Sequence, residues 1–165
     1  MSIADDFVME LEQESAATRR VMERLPEDKF SWKPHPTSMS LGQLAMHVAQ
    51  VPGSVSKMLS ADLTEPPQGG QAEAKSRAEL LDSLTASLND GKARLQGWDD
   101  SQMMAPWTFS VGGKTIMSAP RAGMVRMIMF NHLYHHRGQL QVYLRLLGVP
   151  VPSVYGPTAD ENPFA

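Results

Sequence analysis

Residues 131–140 read NHLYHHRGQL and hold three of the five histidines in the chain. On a helix each residue advances roughly 100°, so His136 stands about 40° around from His132 and one turn along. That spacing lets two imidazoles point at one ion. His135 falls about 60° to the other side of His132, which suits a surface or interface role better than a place at the same focus. Gln139 returns to nearly the face of His132. Two imidazoles one turn apart are a weak signal alone, but a third histidine interrupts an apolar stripe elsewhere: Leu44, His47, Val48 and Val51. A lone histidine there reads as a core residue with satisfied nitrogens. Three histidines converging from two helices are harder to explain as filling, because each unsatisfied ring nitrogen costs roughly 1–3 kcal/mol.

A divalent cation satisfies one nitrogen of each ring and leaves coordination positions open, the mark of a catalytic rather than a closed metal site. Such an ion lowers the pKa of bound water or polarises a substrate oxygen or sulfur. Three imidazoles suit Zn, Ni, Fe and Mn alike. In this reading Gln139 orients the water or braces a ligand; a plain helix–helix hydrogen bond is the alternative. Gln43 shares a face with His47 but fits better as a capping residue. The opposing reading is a dry polar network that binds nothing.

The elements that must position these residues follow from periodicity. Ile3, Phe7, Leu11, Val21, Met22 and Leu25 keep helical spacing over residues 3–25, and Pro26 ends the helix. Glu14, Ser15 and Thr18 fall within its apolar stripe, and the plain expectation is a solvated mid-helix face, with a polar cavity as the alternative. Residues 26–40 read as an ordered loop with Phe30 and Trp32 as anchors. Ser40 and Gln43 form a capping box that starts a second helix at Leu41. Pro52 is expected to kink or stall it. Residues 60–72 read as a flexible connection, 73–96 as a third helix and 121–147 as a fourth, stopped by Gly148. Within 107–118, Gly-Gly separates two short runs that read as a small hairpin or a plain loop. Residues 149–165 form an extended tail able to lie back over the body. The class is all-α, a four-helix bundle in one domain over 1–165.

Composition narrows the functions. A net charge of −3 offers no basic face for nucleic acid. No apolar run approaches the roughly 20 residues of a membrane span, and the acidic N-terminus is no secretion signal. The chain has no cysteine, so it offers neither disulfides nor a thiolate nucleophile. A cytoplasmic protein with no nucleic-acid or membrane partner is the expectation. The twelve methionines are spread along the chain as core filler rather than grouped for copper. His35, between prolines, reads as a loop anchor, and Arg137 as a surface ion pair or dimer contact.

The stretches LPEDKFSWKPHPTSMSLGQLAMHVA, HLYHHRGQL and LLGVPVPSVYGPTADE together resemble the DinB/YfiT family of bacterial four-helix metalloproteins, over nearly the whole chain. Position by position, the resemblance places a metal triad on His47, His132 and His136, the trio that spacing also reaches. It implies a mononuclear metal-dependent enzyme acting on a small molecule: a thiol-dependent S-transferase or isomerase using a low-molecular-weight thiol such as bacillithiol or mycothiol. Metal-water hydrolysis is the nearest variant. It also implies a homodimer. Many members have no known activity, so the rival class is a non-catalytic metal or small-ligand binding protein of stress responses.

Overall fold

Four short polar side chains decide where helices begin. In the computed structural model, which describes residues 1–63, 65 and 70–164, Ser2 caps α1 (Ile3–Glu23) and Asp5 reciprocates. Ser40 caps α2 (Leu41–Met58), with Gln43 closing the expected capping box. Ser76 caps α3 (Arg77–Gln96), and Asp99 caps the short α4 (Asp100–Met104). α3 thus begins at Arg77 rather than at residue 73. The residues before it are engaged elsewhere: Glu73 accepts from the Ser40 hydroxyl, and Ala74 N–H donates to the Gly42 carbonyl at 3.3 Å.

The Gly-Gly pair makes a hairpin, not a plain loop. β1 (Pro106–Val111) and β2 (Lys114–Pro120) pair antiparallel, and Gly112 and Gly113 take φ of 56° and 77°, as a tight two-residue turn requires. Next come α5 (Arg121–Met124), a π-helical segment (Val125–Asn131) and α6 (His132–Leu146), in unbroken succession. The expected fourth helix is present, but its first half is wound more loosely than expected.

α1 packs on α3, α3 on α2, α2 on α6, and α6 back on α1, closing a four-helix bundle around one hydrophobic cluster. Pro52 does not stall α2, which runs on to Met58. The Gly53 N–H beside it donates to Ser87 Oγ at 2.8 Å. A Cβ on Gly53 would stand 3.1 Å from Ser87, and one on Gly91 3.2 Å from Pro52, so small residues let the two backbones meet at the proline.

Two expectations are corrected together. The Glu14–Thr18 stripe is not a solvated face, and Arg137 is not on the surface. Thr18 and Arg137 are each 1% exposed, and the Arg137 guanidinium pairs with the Glu14 carboxylate at 2.6 Å. It also donates to the Glu14 carbonyl, to Thr18 Oγ1 and to the Tyr155 hydroxyl. Its central carbon lies 5.5 Å from the Tyr134 ring centre and 5.1 Å from that of Tyr155. The polar residues of α1 are there because α6 delivers a cation to them. One register further, Arg126 forks onto both Glu10 oxygens at 2.6 Å.

The tail does lie back over the body, tied by charge. Glu161 takes Arg20 at 2.6 Å and Arg24 at 3.4 Å, Asp160 takes Arg145, and Tyr155 donates to Glu14 at 2.8 Å. The ends of the 60–72 connection are pinned as well. Leu63 N–H donates to the Thr108 carbonyl at 2.9 Å, and Trp107 Nε1 donates to the Ala61 carbonyl at 2.7 Å. Thr64 and residues 66–69, the middle of the connection expected to be flexible, lie outside the described residues.

Removing one member of a buried ion pair strands the other, at about 3–5 kcal/mol. Arg137→Ala is expected to lose about that much in urea unfolding, and Arg137→Met with Glu14→Leu to recover most of it. A loss below about 1 kcal/mol for Arg137→Ala would contradict the buried network.

Candidate metal centre

His47 projects from α2 and His132 and His136 from α6, two helices that pack directly. α6 is regular from His132 onward, so the one-turn spacing of its two histidines holds despite the π segment before it. The three ring centres lie 4.6–4.9 Å from one another, and one candidate ligand atom from each lies within 4.8 Å of the others. His47 Nε2 and His132 Nε2 are 3.1 Å apart. All three rings are partly buried.

What orients two of them is a glutamine oxygen behind each ring. His47 Nδ1 lies 2.9 Å from Gln71 Oε1, and His136 Nδ1 2.7 Å from Gln139 Oε1. Each acceptor draws a proton to the rear nitrogen and leaves the front lone pair free, the arrangement that holds ligating imidazoles in place.

The structure thus brings His47, His132 and His136 together and sets Gln139 behind one of them, bracing its own helix's histidine rather than linking two helices. His135 is exposed, its ring 4.8 Å from that of His136 and outside the trio. His35 pairs with Thr37 in its loop at 2.8 Å. One contributor escaped the sequence. Gln71 sits in the connection before α3 and reaches His47 because Glu73 and Ala74 are held on the start of α2. A Cβ on Gly42 would meet Glu73 at 2.9 Å, so only glycine admits that approach.

The DinB family model matches residues 1–162. The chain belongs to the DinB family. This DinB protein is 26% identical over 159 residues to the uncharacterized protein YrdA of Bacillus subtilis, covering 95% of this chain and 90% of that one. Among solved structures, a DinB-like protein from Bacillus cereus superposes with a TM-score of 0.72 at 21% identity, covering 92% of this chain and 97% of that one. YjoA of Bacillus subtilis, also DinB-like, gives 0.69 at 20% identity over 95% and 99%. These likenesses support the DinB fold.

In the DinB trio the protonation states favour acceptors. Burial, then the neighbouring rings of His136 and His47, push His132 down to about 4. His136 is lowered too, chiefly by burial, although its bond to Gln139 works the other way. At neutral pH both rings are therefore neutral. Together with His47 they could hold a divalent cation, and among the described residues no carboxylate joins the group.

Linkage turns this into a pH effect. The ordinary value of 6.5 is that of the unfolded chain, and the folded values lie below it. Between them the unfolded state binds more protons, so stability is full above about pH 6.5 and is lost as pH falls toward 4. The urea midpoint of metal-free protein is expected to drop between pH 6.5 and 4.5, above the usual carboxylate range, and His132→Asn to flatten that drop. An unchanged profile in His132→Asn would contradict neutral, buried rings.

Proposed function

We propose that this DinB protein is a mononuclear metal-dependent enzyme that joins a low-molecular-weight thiol to a small electrophile. The observation that carries the reading is the convergence of three partly buried imidazoles from two helices, two of them held from behind by a glutamine oxygen. Zn, Ni, Fe and Mn all accept such a donor set. A divalent cation there supplies Lewis acidity that lowers the pKa of a thiol or a water and stabilises the anionic nucleophile.

The protein's own residues set how strongly that works. Uncharged donors leave the cation's charge undiminished, which favours an anion at the open positions. Three ligands from only two helices, His132 and His136 on one and His47 on the other, leave those positions accessible. Gln71 and Gln139 fix the rotation of two of the rings in advance, so little reorganisation is needed on binding. In the transfer the sulfur bonds to the electrophilic carbon, the leaving group departs with its electron pair, and the thiol proton goes to solvent. Attack by water in place of the thiol gives the hydrolase variant.

Protein purified without chelators is expected to hold about one equivalent of metal per chain, and His47→Ala, His132→Ala and His136→Ala to abolish it. Gln71→Ala and Gln139→Ala should keep the stoichiometry and lose about 10–100-fold in affinity. Metal content in the wild type below about a tenth of an equivalent would sink the site. Metal-loaded protein should accelerate conjugation of at least one thiol in a panel with 1-chloro-2,4-dinitrobenzene. No rate above the metal-free control with any thiol would count against transfer and leave a binding protein.

A further inference from the structure

A groove of about 850 Å³ opens beside His132, and Ile128, Val55, Met58, Ala61 and Leu63 also line it. Small-molecule sites span roughly 300–1,000 Å³, with mostly apolar walls and a few placed polar groups. Of the three clustered imidazoles only His132 reaches this groove, so it approaches the centre from one side. Met58, Leu63 and Ile128 are partly buried residues at the edge of the core, forming a concave apolar surface rather than scattered exposed side chains.

The far wall is built to stay in place. Residues 61–63 follow the end of α2 and belong to no helix, yet both backbone groups of Leu63 pair with β1, at 2.9 Å to the Thr108 carbonyl and 2.8 Å from Ser110 N–H. Trp107, 2% exposed, anchors the Ala61 carbonyl. The two charged residues of the rim have opposite signs. Lys57 is exposed, and Asp62 accepts from Thr108 N–H at 2.9 Å, a bond that holds its carboxyl below the usual range. A rim so balanced selects neither cation nor anion.

We infer that this groove binds the uncharged apolar body of the substrate, an alkyl or aryl chain whose reactive end is held at His132. The assignment rests on the metal reading only for which end reacts; the apolar subsite stands on the groove itself.

A homologous series of n-alkyl hydroxamates, from acetohydroxamate to octanohydroxamate, tests it on zinc-loaded and metal-free protein by calorimetry. Affinity is expected to rise about fourfold per methylene until the groove is full. Ala61→Phe, at an exposed position, and Met58→Asp should each flatten that rise while leaving zinc content unchanged. A flat series in the wild type, or a rise untouched by either variant, would overturn the inference. Failure of the metal reading looks different. Acetohydroxamate would then bind zinc-treated and metal-free protein alike, while the chain-length rise would persist in both.

Discussion

The arrangement turns on two nitrogens. His47 Nε2 and His132 Nε2 face each other at 3.1 Å, and a glutamine oxygen stands behind the ring of His47. A single proton bridges such a pair, donated by one neutral ring and accepted by the other. A divalent cation instead meets both nitrogens as lone pairs and uses His136 as well. The chemistry proposed for this DinB protein is therefore the replacement of one shared proton by a metal.

Much of the fold keeps that contact in register. α6 carries two of the rings, and Arg137, the residue after His136, is locked to α1 and the tail through Glu14, Thr18 and Tyr155. A buried guanidinium is a poor source of stability but a demanding one geometrically, because its donors fit only one placement of their acceptors. α2 carries the third ring. Its close approach to α3 at Gly53 and Gly91 and its capped start fix where His47 stands. The Ser40 that caps α2 also holds Glu73, and so brings Gln71 to His47. One serine thus starts a helix and helps aim a ring.

The trio and the bundle were legible because both depend on short-range patterns. The spacing of His132 and His136, the interruption of an apolar stripe by His47, and the Ser40 and Gln43 cap are visible within a few residues each. What escaped depends on long-range partners. Glu14 and Thr18 look the same in sequence whether they face water or a buried arginine, and only the position of Arg137 across the bundle decides. Gln71 lies in coil, where no period predicts its direction. The π segment before His132 is a looser winding of residues that also read as regular helix, so it had no local signal. The hairpin was ambiguous because its role, holding Leu63 and Ala61, is tertiary.

The most direct test of the account is the state of each imidazole nitrogen, read by long-range proton–nitrogen NMR correlation on zinc-loaded, nitrogen-15-labelled protein at pH 7. The account predicts that His47, His132 and His136 all carry their proton on Nδ1, with Nε2 shifted by the metal, while His35 and His135 show no metal shift. Protons on Nε2 of the three rings, or spectra unchanged by zinc, would contradict it.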